Sequence, residues 1–252
     1  MDLVKFMNRI YEYETQIGST ENIFRGDLLT QDERDFLLND SNAFLFGLIS
    51  DQSVRAEMAW SLPYKLSKRL NSFSMEYISE NYSIEDLTSA IKEKPALHRY
   101  PVQIGKYLWL AAQKVINEYE GIAENIWING SAKEVLENLM SFKGISHKKA
   151  SLACLLLVRD FGWKVSDKEN IDIIYDIHIR RIFLRAGICE KDSLDDVVKA
   201  ARKLNPQFPG YLTSSFWAIG REICRPNYPL CHECPIEEFC QKRIEREEHI
   251  NG

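Results

Sequence analysis

The chain has 252 residues and a formal net charge of −5, with 45% apolar and 27% charged residues, a balance typical of a globular protein with a buried core. Its longest apolar runs, such as residues 152–158, are too short to cross a bilayer, so a membrane-spanning protein is excluded. The first residues lack the apolar region of a signal peptide, so we expect a cytoplasmic protein, and its acidic balance still permits a local basic face.

Apolar residues recur at helical spacing along nearly the whole chain, which predicts an all-α fold. Capping boxes, in which a Ser or Thr precedes an acidic residue by three positions, mark helix starts at Thr30, Ser83, Ser131 and Ser193. The polar segment 163–170 is interpreted as a surface loop. The predicted helices are, in chain order, 3–16, 31–39, 42–50, 54–70, 84–93, 102–120, 132–140, 147–159, 177–186, 194–203 and 210–222.

Six cysteines in a protein expected in the cytoplasm favour metal ligation or buried thiols over disulfides. Four of them cluster near the C-terminus with six, two and five residues between successive members: Cys224, Cys231, Cys234 and Cys240. Four thiolates on one short segment can converge on a metal centre, and soft sulfur ligands favour zinc or an iron–sulfur cluster. The alternative is four unrelated cysteines. Of the other two, Cys154 is expected in the core and Cys189 has no evident partner.

The spacing of these four cysteines resembles the iron–sulfur loop of the endonuclease III family of DNA glycosylases and of the related adenine glycosylases. The resemblance implies that the four cysteines hold a [4Fe–4S] cluster. It gives His232, which lies within the motif, no ligand role, and we expect an exposed loop residue there. A structural zinc site usually has two close ligand pairs, whereas this segment has one Cys-x-x-Cys pair.

Residues 135–158 predict an amphipathic helix, a tight turn with a glycine, and a strongly apolar helix. The turn at 142–148 resembles the helix-hairpin-helix of DNA glycosylases, in which the hairpin backbone approaches a DNA phosphate. The chain departs from the family pattern by carrying Lys143 for a proline and Ser146 for a second glycine. The resemblance implies DNA contacts by Lys143, Gly144, Ser146 and Lys149. An ordinary packed helix pair is the alternative.

The same alignment places Lys148 where bifunctional family members carry their nucleophilic lysine. Attack on the sugar C1′ requires a neutral amine. The base then departs, a Schiff base forms, and β-elimination can cut the strand. A simple phosphate contact is the alternative role for Lys148, and Lys149 lies one position out of register for the nucleophile.

A carboxylate partner is expected in the segment 175–181, which resembles the family pattern Val-Asp-x-His. Asp176 takes the catalytic place there, where a carboxylate can stabilise developing positive charge on the sugar or help to activate the nucleophile. Asp176 is also predicted to cap the helix that follows, and both roles can hold together. Asp172 competes as the carboxylate but lacks the following histidine. We expect His178 and Arg180 to contact DNA, with a structural role as the alternative for His178.

A base inside a duplex must be flipped out before these groups can reach it. Residues 48–54 resemble the family's helix junction that carries a gap-filling glutamine, which would be Gln52. Adenine glycosylases carry a catalytic glutamate a few residues earlier, where this chain has Gly47, and this disfavours adenine excision. The turn at 98–100 is a further candidate for a wedge or a phosphate contact.

The resemblance implies two helical domains with an active cleft between them. A helical domain at 41–160 would end in the helix-hairpin-helix, and the N-terminal helices of 1–40 would pack with a C-terminal iron–sulfur domain at 161–252. The function implied is a monomeric, nucleoid-associated glycosylase and abasic-site lyase that acts on duplex DNA with a damaged base, by default an oxidised pyrimidine, or with an abasic site. The alternatives are a monofunctional mismatch or uracil-type glycosylase and a non-catalytic DNA-binding protein with structural zinc.

Overall fold

The computed structural model describes residues 2–17 and 28–244, and within these ranges the chain is helical and has no strand. This confirms the predicted all-α fold. The helices are α1 (Leu3–Ile17), α2 (Gln31–Asn39), α3 (Ser41–Ser50), α4 (Ala56–Ser67), α5 (Met75–Asn81), α6 (Ile84–Lys92), α7 (Pro101–Tyr119), α8 (Ala132–Met140), α9 (His147–Asp160), α10 (Ile177–Ala186), α11 (Leu194–Leu204) and α12 (Leu212–Ala218). No helix in the described ranges is long and apolar enough to span a bilayer.

The helices form two compact units. The central unit contains the described residues 28–167, with α2 to α9, and the terminal unit contains residues 2–17 and 168–244, with α1 and α10 to α12. Helix α2, which lies within the predicted N-terminal segment 1–40, packs against α3 and α4 of the central unit. The ring of Phe36 makes T-shaped contacts with Tyr64 of α4 and with Phe73 in the segment between α4 and α5.

Helix α3 forms the centre of the central unit. It is apolar on every side, and residues 43–50 are fully buried against α2, α4 and α7. A helix without a polar face is stable only when neighbours cover it on all sides. Burial ends after Ser50, and the partly exposed segment that carries Gln52 begins there.

The terminal unit is assembled on α12. Helix α1 packs against it, with the ring of Phe6 stacked on Phe216 and in edge contact with Phe239 of the cysteine segment. Helix α10 contacts both α12 and the single π-helical turn that follows it, Ile219–Ile223. The cysteine segment thus begins directly after a locally widened helix turn.

Helix termini follow the predicted capping signals closely. The Thr30, Ser83 and Ser131 capping boxes are complete, and at Ser193 the hydroxyl accepts from the Asp196 amide. Helix α5, capped by Ser74, was not predicted, because its seven residues are too few to show a helical period.

The segment 163–170 is not wholly at the surface, which corrects the prediction. Its Trp163 and Val165 are buried, and its Asp167 accepts a hydrogen bond of 2.8 Å from the Ala132 amide at the start of α8. The segment is polar overall, but its two apolar residues Trp163 and Val165 are buried in the protein.

Candidate active site and cysteine cluster

The hairpin between α8 and α9 is a tight turn that only glycine permits. Gly144 has a φ of +88°, and a Cβ atom there would lie 2.6 Å from a ring carbon of Tyr107. Phe142 and Ile145 on either side of it are buried and fix the turn to the core. The predicted helix-hairpin-helix is present, and its glycine backbone lies close against α7.

The two adjacent lysines at the start of α9 have different environments. Lys148 is exposed on the first turn of the helix. Lys149 is only 8% exposed, and its Nζ donates hydrogen bonds of 2.8 Å to the carbonyl oxygens of Ile49 and Gly144. Lys143 and Ser146 are exposed at the tip of the hairpin, and Ser146 occupies the N-cap position without a side-chain cap. The exposed amine at the helix start therefore belongs to Lys148.

The environment of Lys149 predicts a pH dependence of stability. Burial lowers the pKa of Lys149 from 10.5 to about 8, against the attraction of Asp51. The folded chain releases this proton first, so between these two pKa values the unfolded chain binds more protons and stability rises with pH. We expect the free energy of unfolding of the wild type, relative to Lys149→Met, to increase by up to about 3 kcal/mol between pH 8 and pH 10.5. Urea unfolding over this range measures it, and a constant difference would show that the buried amine does not titrate there.

The segment after α3 is held in a defined turn. Gln52 is half-buried, and its Nε2 donates to the Ile49 carbonyl at 3.2 Å. Gly47, five residues earlier, lies against Trp60, and a Cβ atom there would be 2.8 Å from the indole ring. The position that the resemblance aligns with the glutamate of adenine glycosylases therefore has no room for a side chain.

The turn at 98–100 combines one buried and two exposed side chains. His98 is buried, and its Nδ1 accepts from the Tyr100 amide at 3.0 Å. Its Nε2 lies 3.1 Å from the Ser50 carbonyl, so Nε2 must carry the hydrogen and donate it. Burial lowers the pKa of His98, which favours this neutral form. Arg99 and Tyr100 are exposed, so these two residues rather than His98 are available for a wedge or a phosphate contact.

In the terminal unit, Asp176 caps α10 as predicted. Its Oδ1 accepts from the amides of His178 and Ile179 at 2.9 and 2.8 Å, so these bonds leave Oδ2 for another partner. Asp172, the competing carboxylate, forms a two-bond ion pair with Arg202 at 2.7 and 2.9 Å. Asp172 is thus neutralised by a cation, while Asp176 has a carboxylate oxygen that the cap does not use.

The predicted DNA contacts downstream of Asp176 take part in local interactions. His178 is half-buried, packs against Gly220 and accepts from Arg181 at 3.2 Å through Nδ1. Arg180 pairs with Asp192 at 2.9 Å in an ion pair that is about half exposed. Exposed ion pairs are weak, so Arg180 can exchange this partner for a phosphate at small cost.

The four clustered cysteines line one small cavity in the terminal unit. Donors approach their sulfur atoms: Arg185 Nη1 lies 3.7 Å from Cys224 Sγ and the Lys242 amide 3.3 Å from Cys240 Sγ. Burial and, to a smaller extent, the neighbouring cysteines raise the pKa of Cys234 to about 11. Among the described residues, no group of three or more His, Cys, Asp or Glu side chains is close enough together to hold a single metal ion.

The predictions for Cys154 and His232 are confirmed, whereas Cys189, for which the sequence shows no partner, donates to the Lys191 carbonyl at 3.5 Å. Cys154 is fully buried in α9, and burial raises its pKa to about 12. Cys189 is also buried, and His232 is exposed. Cys154 and Cys189 are therefore core thiols that lie outside the four-cysteine cavity.

Comparison with known proteins agrees with this geometry. No family model matches the chain. Endonuclease III from Thermotoga maritima is 28% identical over 113 residues, which cover 44% of this chain and 48% of that protein. The chain spans about half the length of the curated relatives it matches.

Solved structures extend the likeness to nearly the whole chain. A structure of endonuclease III trapped as a covalent intermediate with DNA matches 96% of this chain and 97% of that one, with a TM-score of 0.65 and 16% identity. A thermostable thymine-DNA glycosylase matches 94% of this chain and 97% of that one, with a TM-score of 0.62 and 17% identity. The chain therefore has the fold of endonuclease III and is similar to it in sequence over about half its length, which confirms the resemblance seen in the motifs.

Proposed function

We propose that the protein is a DNA glycosylase with abasic-site lyase activity, which removes damaged bases, by default oxidised pyrimidines, from duplex DNA at the nucleoid. The observation that carries the proposal is the exposed Lys148 at the start of α9, directly after the tight hairpin turn at Gly144, in a chain with the endonuclease III fold. Its partner is duplex DNA with a damaged base or an abasic site.

Lys148 is the proposed nucleophile and Asp176 the proposed carboxylate. The neutral amine of Lys148 attacks C1′, and the bond from C1′ to the base breaks as the base leaves with its electron pair and takes up a proton. Loss of a proton from the amine and opening of the sugar ring give a Schiff base, and loss of a C2′ proton then expels the 3′-phosphate. The Asp176 carboxylate stabilises the positive charge that develops on the sugar.

The DNA contacts proposed for this reaction lie on both units. Gly144 and Ser146 offer backbone groups at the hairpin, where Lys143 adds an exposed cation. In the terminal unit, His178 and Arg180 lie just after Asp176 and are proposed as further phosphate contacts. Gln52 is proposed to fill the gap that the flipped nucleotide leaves.

The four cysteines are proposed to hold a [4Fe–4S] cluster. The donor set fits this group, because four thiols surround one cavity and N–H donors point at two of the sulfurs. Bound iron would supply the positive charge that keeps neighbouring thiols deprotonated despite burial. The cluster is proposed to take no part in base removal. It would help to link the cysteine segment to α10, because Arg185 of α10 donates to the sulfur of Cys224.

Replacing one of these cysteines should remove the cluster. We expect Cys231→Ser to lose the yellow-brown absorbance, the bound iron and the inorganic sulfide, and to unfold at lower temperature. Visible absorbance, iron and sulfide assays and thermal unfolding measure this. The matched control is Cys189→Ala, a buried thiol outside the cavity, which should keep the colour. A colourless wild type with stoichiometric zinc would contradict the cluster.

The proposed activity is tested on labelled duplexes that each carry one lesion or an abasic site, with and without alkali treatment. Strand cleavage without alkali is the expected result and would identify the substrate class. Cleavage only after alkali would identify a monofunctional glycosylase. No cleavage of any duplex would overturn the proposal in favour of a binding protein.

A further inference from the structure

Lys149 connects two segments of the central unit that are about a hundred residues apart in sequence. Its buried Nζ donates to the carbonyl of Gly144 in the hairpin and to that of Ile49 at the end of α3, both at 2.8 Å. A buried cation with two carbonyl acceptors is held in place by charge-assisted hydrogen bonds, which are stronger than neutral ones. The hairpin and the end of α3 are therefore fixed to each other through one side chain.

The Ile49 carbonyl is also the acceptor for Gln52. The side-chain amide of Gln52 donates to this oxygen at 3.2 Å, so Lys149 and Gln52 meet at one atom. His98 holds the next carbonyl, that of Ser50, from the other turn at 3.1 Å. The turn that carries Gln52 is thus held by two buried side chains, of which Lys149 alone also reaches the hairpin.

The position of Lys149 excludes the roles that its neighbour can take. Its amine is turned inward and engaged by two carbonyls, so it is not presented to a phosphate or a sugar as the exposed Lys148 is. The charged and titratable groups that act on it are Asp51, which attracts it, and His98. A buried lysine with this arrangement holds the two backbone segments that it contacts in a fixed position.

We propose that Lys149 is a positioning residue that fixes the Gln52 turn against the hairpin, so that the phosphate contact and the gap-filling side chain engage DNA together. This inference rests on the proposed function, since it assigns Gln52 and the hairpin to DNA. Lys149 acts through these two segments and not through the direct DNA contact predicted for it from the sequence, because its amine is turned inward.

The test measures the affinity for a duplex with a tetrahydrofuran abasic-site analogue, which cannot form a Schiff base, and for the same duplex without it. Lys149→Met should raise the Kd for the analogue duplex by about tenfold. In a double-mutant cycle with Gln52→Ala, the two losses should overlap, so that the double variant binds about as weakly as the weaker single variant. A role in stability alone would leave the two losses additive.

The control for lost stability is Ile78→Val, a buried change in α5 that lies away from the turn and the hairpin. If it raises the Kd as much as Lys149→Met does, the inference is overturned while the proposed function stands. If the wild type binds both duplexes equally, the proposed function fails and the inference falls with it. Should Lys149→Met not fold, Lys149→Gln keeps a donor on a shorter stem and should show a smaller rise in Kd with the same overlap.

Discussion

Lys148→Ala should lose strand cleavage at an abasic site by at least about three orders of magnitude, because the proposed reaction has no other route to the covalent intermediate. Lys148 is exposed on the first turn of α9, so its removal leaves the core intact and should hardly change stability. The measurement is single-turnover cleavage together with trapping by borohydride, which reduces the Schiff base and leaves the protein covalently attached to DNA. Both signals should disappear together.

The matched control is Lys143→Ala, which removes another exposed lysine from the same hairpin. This variant should bind DNA more weakly but should still be trapped by borohydride at high protein concentration. Trapping that persists in Lys148→Ala would show that another amine is the nucleophile. Lys149 would be the first to examine, although its two carbonyl partners argue against it.

Local signals predicted the helices well because helix ends depend on neighbouring residues. The capping boxes at Thr30, Ser83 and Ser131 form as the sequence implies, since each needs only two side chains three positions apart. Helix α5 escaped prediction because one short helix shows less than two full periods. Trp163 was placed at the surface because its neighbours are polar, whereas its burial depends on contacts from elsewhere in the fold.

The sequence motifs indicate the residues of a candidate site but not the environment of each side chain. The motifs located Lys148, Asp176 and the four cysteines, yet they could not distinguish the surroundings of two adjacent lysines. Successive helix residues point about 100° apart, so two adjacent lysines can lie in different environments. The burial of Lys149, and its hydrogen bond to Ile49, depend on packing between segments a hundred residues apart.

Asp176→Asn should lower the rate of base release by about 10²–10⁴-fold with little change in stability. The Asp176 side chain has two separable roles, since Oδ1 caps α10 and the negative charge is proposed to serve the reaction. Asparagine is as good an N-cap as aspartate, so its side-chain oxygen can still accept from the His178 and Ile179 amides. Asp176→Ala removes both roles and should cost about 1 kcal/mol of stability in addition to the same loss of rate. Single-turnover rates and urea unfolding of the two variants measure these effects separately.

Asp172→Asn is the matched control, with the same chemical change four residues earlier. It breaks the ion pair with Arg202 in the same unit and should leave the rate of base release near that of the wild type. If Asp176→Asn kept the wild-type rate while Asp176→Ala lost only stability, Asp176 would be a helix cap and no more. If Asp172→Asn instead lost the rate, the catalytic carboxylate would be the one that the structure pairs with arginine, and the assignment based on the family pattern would be wrong by four residues.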